Sequence, residues 1–217
     1  MTKAEYKQTF TDEDAVGWMS IDQQLEKLYP GQEPQHYGTV VKYMIGGNDP
    51  LDGLSIYESS KHTDHFHIVS YGLSELYYNE ESAGGEFSKW GFELTFRVKK
   101  ANGESPSDQA WAMNMMQNLA RYVFSSKRWF EEYHALDARG PIRIGYDTDI
   151  TALAFVTDPE LGTIDTPHGQ VQFLQIVGLT TDEFKSLTVN NGDKTVEEVI
   201  TQLRANDPLL ITDLGRK

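Results

Sequence analysis

The chain has 217 residues, no cysteine and a formal net charge of −14. A domain of that length buries about 70% of its surface on folding without cross-links, and the missing thiols exclude a disulfide framework, a thiolate metal site and a cysteine nucleophile. The acid excess opposes direct contact with nucleic-acid phosphates or anionic membranes, and no run of 18 apolar residues offers a membrane span.

In chain order, residues 1–11 are expected as a flexible extension, with the folded core over residues 20–214. A helical region is predicted over 12–29, with Ser20 as N-cap, Ile21, Leu25 and Leu28 on one side, and Pro30-Gly31 as its stop. Strands are predicted at Tyr37–Met44, Leu54–Glu58 and Phe66–Tyr71, the first two separated by the turn formers Gly46 to Pro50. Ser74 reads as the N-cap of a short helical turn. Glu93–Lys99 is the clearest strand, because Leu94, Phe96 and Val98 alternate with polar neighbours.

The longest helix is predicted to begin after Ser107 and run to about Phe130, with a stripe of Ala112, Met115, Met116, Leu119 and Val123 facing a core. Strands follow at Ile142–Ile144, Ala152–Val156 and Val171–Val177, and a last one at Leu209–Thr212. Two short helices open on capping boxes, Thr180 with Glu183 and Thr195 with Glu198. Helices and strands mix without regular alternation, and no linker divides the chain. One α+β domain over residues 1–217, a mixed sheet packed with helices, is the expected fold.

Two groups suggest chemistry. His62, Asp64, His65 and His67 have the spacing of a divalent-metal site, since His65 and His67 share a strand face. A metal-dependent hydrolase built on His62, His65 and His67 would use the ion to activate water; packing of these histidines in and beside a sheet is the plainer alternative. Gly84-Gly85-Glu86-Phe87 echoes a cyclase signature with one acid too few, and reads as a loop of small residues. No nucleophile elbow, phosphate loop, dinucleotide fingerprint or His-Glu-x-x-His motif is present. Neither a cofactor nor a bound metal is expected.

DPLDGLSIYES (49–59), HFHIVSYGLSELY (65–77) and GFELTFRVK (91–99) closely resemble the wording of the Suppressor of fused family. Leu28-Tyr29-Pro30, the helix segment Leu119–Phe124, Thr166-Pro167-His168-Gly169 with Phe173–Gly178, and Leu210–Asp213 resemble further blocks in the same order. The resemblance implies an α+β domain used for protein binding, without catalytic activity. Animal members restrain Gli-type transcription factors by holding a short peptide between two domains, and Tyr77 matches a tyrosine near that groove. The sequence ends at Lys217, before the second domain of the animal proteins, so the chain looks like the compact bacterial members, whose suggested role is immunity against polymorphic toxins.

These readings lead to a cytoplasmic, non-enzymatic domain that binds a protein partner, with a basic toxin domain as the specific expectation. Tyr77 is the expected aromatic anchor, with Glu75, Glu80, Glu81 and Glu86 as acids beside it. A regulatory adaptor and the metal hydrolase are the alternatives.

Overall fold

Glu93–Lys99, the clearest alternation in the sequence, forms the centre of an eight-stranded sheet in the computed structural model, which describes residues 1–217. The strands are β1 (Gln35–Gly38), β2 (Gly53–Ser59), β3 (His65–Tyr71), β4 (Phe87–Lys99), β5 (Ala135–Asp137), β6 (Ile150–Thr157), β7 (Thr163–Thr166) and β8 (Gly169–Thr180). Their order is β1-β2-β3-β4-β8-β6-β5, with β7 paired to β8. Only β4 and β8 run parallel; every other pairing is antiparallel. The fold is a single α+β domain with a mixed sheet.

Five helices cover the sheet: α1 (Lys3–Thr9), α2 (Val16–Leu28), α3 (Ala110–Ser126), α4 (Thr181–Lys185) and α5 (Val196–Asn206). One face meets α3, whose Ala112, Met116, Ala120 and Val123 pack on Ile56, Phe66, Ile68, Leu94, Phe96, Phe155 and Ile176. The opposite face is shared. There α2 places Ile21, Leu25 and Tyr29 against Tyr57, Val69, Tyr71 and Phe173, while α5 places Val199 and Ile200 against Ala152, Ala154, Val156 and Val177. Because β3 is covered on both sides, all seven of its residues are buried. Each fully buried Leu, Ile or Phe contributes roughly 1.5–3 kcal/mol of transfer free energy, so these three clusters hold the layers together.

Several predicted boundaries move, each for a local reason. In place of a loose N-terminal extension, residues 3–9 form α1, closed by a Thr2–Glu5 capping box and anchored by fully buried Tyr6. Ser20 lies inside α2, which starts at Val16, and its hydroxyl donates back to the Val16 carbonyl at 2.9 Å. Strand β1 ends at Gly38, and a 3-10 turn occupies Tyr43–Ile45 where extended chain was expected. Helix α3 stops at Ser126 because Lys127 turns left-handed (φ 59°) and returns its N–H to the Val123 carbonyl.

Ile142–Ile144 is an irregular loop with Ile144 almost fully exposed. Leu209–Thr212 makes one isolated bridge to Val98 rather than a strand, since Leu210 sits at φ 53°. Both capping boxes near the C-terminus are present, at Thr180–Glu183 and Thr195–Glu198.

Candidate functional site

The segment after β3 carries Tyr77, and a buried carboxylate shapes it. Glu93 on β4 accepts from the Ser70 hydroxyl (2.6 Å), the Gly72 amide (2.9 Å), and the Ser74 amide (2.8 Å) and hydroxyl (2.6 Å). Ser74 therefore caps no helix: its side chain points inward to Glu93, and residues 72–84 run as bends and turns. Burial pushes the Glu93 carboxyl above its ordinary value, against these four hydrogen bonds. On the outer side of the loop, Gly17 of α2 approaches so closely that a Cβ there would lie 1.8 Å from the Glu75 carbonyl oxygen.

Tyr77 stands half-buried on this framework. Its hydroxyl donates to Asp52 Oδ2 at 2.6 Å and accepts from Lys42 Nζ at 2.5 Å, and the same ammonium lies 4.2 Å from the ring centroid. Burial and the Asp52 carboxylate hold the phenol above its usual range. Beyond Lys42, the segment 40–45 exposes Val40, Val41, Tyr43, Met44 and Ile45. The immediate surroundings of Tyr77 are thus a lysine, an aspartate and the apolar cluster beneath α2.

The four predicted acids separate from it. Glu80 pairs with Lys7, and Glu81 with Lys3 at 3.1 Å, so α1 neutralises both. Hydrogen bonding by Lys7 lowers the Glu80 carboxyl. Glu75 is partly buried and accepts from Asn79 at 3.0 Å. Glu86 is exposed like Glu81, but its carboxylate pairs with no base, and only its carbonyl is held, by the Gln170 amide at 3.0 Å.

His168, a residue of the quoted blocks to which no role was given, ties this region together. Its Nε2 accepts from the Tyr6 hydroxyl at 2.7 Å and its Nδ1–H donates to the Glu75 carbonyl at 3.2 Å. The Gly84-Gly85 loop docks on the same turn, with the Gly84 amide on the Pro167 carbonyl at 2.9 Å and only 3.0 Å between an added Gly85 Cβ and the His168 oxygen.

The histidine group does not converge. His67 is fully buried, with Nδ1 accepting from Tyr29 at 2.8 Å and Nε2–H donating to Asp158 at 3.2 Å. Both ring nitrogens are occupied. His65, also buried, spends Nδ1 on the Thr63 carbonyl at 2.8 Å and leaves Nε2 without a partner. His62 stands apart on a left-handed turn, 3.5 Å from Asp207. No three His, Asp or Glu side chains are arranged to hold an ion.

Asp158 is instead the hub of a buried ionic network. It accepts from Arg97 at 2.5 and 3.1 Å, Thr95 at 2.8 Å, and the amides of Glu160 and Leu161, both at 2.9 Å. Burial alone would raise this carboxyl, but hydrogen bonds from His67 and the Arg97 charge hold it far below the carboxylate range. Burial, reinforced by Arg97, pushes His67 down to about 4. These groups bind β3, β4, α2 and the β6–β7 turn rather than a ligand.

The family model described as Suppressor of fused protein (SUFU) matches residues 47–217. Suppressor of fused homolog from Homo sapiens is 38% identical over 210 residues, covering 92% of this chain and 43% of the human protein. The Mus musculus homolog gives the same identity and coverage. The chain thus spans less than half the length of these curated relatives. Among solved structures, the Sufu-Fu complex matches with a TM-score of 0.82 at 30% identity, covering 94% of this chain and 91% of that one. Drosophila Suppressor of Fused matches with the same score and identity, over 95% of this chain and 52% of that one. A SUFU homolog from Neisseria gonorrhoeae, 12% identical with a TM-score of 0.58, shares the fold. With the family model spanning well over half of it, the chain belongs to the Suppressor of fused family.

Proposed function

We propose that this chain is a protein-binding domain that acts by surface recognition rather than catalysis, with Tyr77 at the centre of a docking surface. One observation carries the reading: a half-buried tyrosine is fixed between Lys42 and Asp52 on a loop clamped from inside by Glu93. An aromatic ordered in advance loses little conformational entropy when a partner covers it, which is the property of an interface anchor. The exposed apolar side chains of residues 40–45 extend the same surface. A solved family structure that is itself a complex, Sufu with Fu, supports a protein as the partner.

The net charge of −14 favours a basic partner through long-range attraction, and Glu86 offers an unneutralised acid near the loop. Neutralisation of a basic toxin domain is the specific form of this role that the charge supports. A photo-crosslinking amino acid at position 86, irradiated in the host cell, is expected to give a discrete adduct that disappears in Tyr77→Ala. Adducts that persist unchanged in Tyr77→Ala count against the reading. If the partner is a toxin, coexpression of the wild-type chain restores growth and Tyr77→Ala does not.

A further inference from the structure

A second surface lies at the far edge of the sheet, around β5. The register sum that pairs Leu136 with Leu153 also places the Ala138 amide on the Thr151 carbonyl and the Phe155 amide on the His134 carbonyl, both at 3.0 Å. Hydrogen-bonded residues alternate along an antiparallel ladder. His134, Leu136 and Ala138 therefore face β6, while the N–H and C=O groups of Ala135 and Asp137 point outward. No strand lies beyond β5. Left-handed residues bracket it, Tyr133 at φ 63° and Arg139 at φ 58°, so the chain turns sharply to present this short edge.

The open edge runs along an apolar groove of about 740 Å³ whose walls include Tyr122, Trp129, Phe130, Tyr133 and Val189. Leu119 and Leu136 continue from it into a second apolar depression that reaches Met115, Trp111 and Ile144. Trp129, Val189 and Ile144 are 52%, 72% and 96% exposed, so large apolar area stands uncovered on both sides of the strand. The methionine stripe of α3 is accounted for by the same division: Met116 enters the core while Met115 lines the depression.

Charge indicates what fits. Arg97, Arg121, Arg143 and Arg216 each hold a carboxylate. Arg128 and Arg139, both exposed on the groove, hold none and outnumber its one carboxylate, Asp137, which is engaged by the Arg139 amide at 2.7 Å, in a chain with 33 acids against 19 bases. We infer that the β5 edge is a docking site for an extended, acidic and apolar segment of a partner protein. The segment adds as a strand through the outward groups of Ala135 and Asp137, alternate side chains enter the aromatic groove, and flanking acids meet Arg128 and Arg139. A second copy of this chain fits less well, because two strongly acidic molecules repel and each would set its own arginines against the other's. This site is separate from the Tyr77 surface and does not depend on it.

Selection of a random dodecapeptide phage library on the full chain tests the assignment. Enriched peptides are expected to alternate apolar residues with Asp or Glu at the flanks. Their affinity, read by fluorescence anisotropy, is expected to fall at least about tenfold in Ala135→Pro, which removes an outward N–H and no ladder bond. The same loss is expected in the charge-reversed pair Arg128→Glu/Arg139→Glu and, as a surface change that leaves β5 intact, in Trp129→Ala. Tyr77→Ala should bind these peptides as the wild type does. Absence of enriched peptides, peptides indifferent to all three β5-edge changes, or peptides lost in Tyr77→Ala would each overturn the proposal. A concentration-dependent dimer abolished by Ala135→Pro would make the occupant a second copy and overturn it as well.

Discussion

Glu93 Oε1 holds Ser74 twice, by the amide at 2.8 Å and by the hydroxyl at 2.6 Å. A carboxylate sealed in the sheet thereby fixes the backbone three residues before Tyr77. The candidate anchor stands where it does because of a residue that no partner can touch.

Removing that carboxylate should be felt in both stability and binding. Glu93→Ala leaves the Gly72 and Ser74 amides and two serine hydroxyls without their acceptor. With each orphaned buried donor costing about 1–3 kcal/mol, urea unfolding should show a loss of about 3 kcal/mol or more. Burial raises the native Glu93 carboxyl above 4.5, so the native state binds this proton more tightly than the unfolded chain. Its contribution to stability therefore declines as pH rises from 4.5 through the native value, and is level above it. Glu93→Gln should remove that decline from a series of urea midpoints taken across the range.

His67 gives the opposite slope. Its native value of about 4 lies below the ordinary 6.5, so the unfolded chain takes the proton first. The stability this provides is complete above 6.5 and is lost as pH falls towards 4, by up to about 3 kcal/mol. Urea midpoints should fall across that window, and the ring resonances of His67 should stay those of a neutral imidazole until the pH nears 4.

Arg97→Met should cost about 3–5 kcal/mol, because Asp158 would keep its charge in the core with its cation gone. Arg97→Met/Asp158→Asn should recover part of that loss. Chemical denaturation of the two variants measures the difference, and equal losses would contradict the ionic account.

Gly17→Ala should destabilise by about 2 kcal/mol through overpacking, since its methyl would meet the Glu75 carbonyl, which is backbone and cannot swing aside. The same change should shift the amide resonances of Leu76 and Tyr77, because the Gly17 amide donates to the Leu76 carbonyl at 3.0 Å. An unchanged spectrum around Tyr77 would show that α2 does not position the loop.

The parts of the fold legible in the sequence were those written in local periodicity. The alternation in 93–99, the apolar stripe of α3 and the two C-terminal capping boxes each encode their element within a few residues. Residues whose roles depend on distant partners were not legible. His67 reads as either a metal ligand or a packed strand histidine until Asp158, 91 residues away, takes its Nε2–H. Ser74 reads as a cap until Glu93, 19 residues on, takes its hydroxyl. Glu80 and Glu81 read as free acids because Lys3 and Lys7 lie far off in the chain, on a helix too short to declare itself. Strands β5 and β7, of 3 and 4 residues, carry too little alternation to stand out from their turns.

The most direct test of the central claim is the affinity of wild-type and Tyr77→Ala chains for the partner trapped at position 86, measured beside their urea midpoints. The account predicts a loss of at least about tenfold in affinity with little change in midpoint, since Tyr77 is half-buried outside the main core. Equal affinity of the two chains for that partner would contradict it.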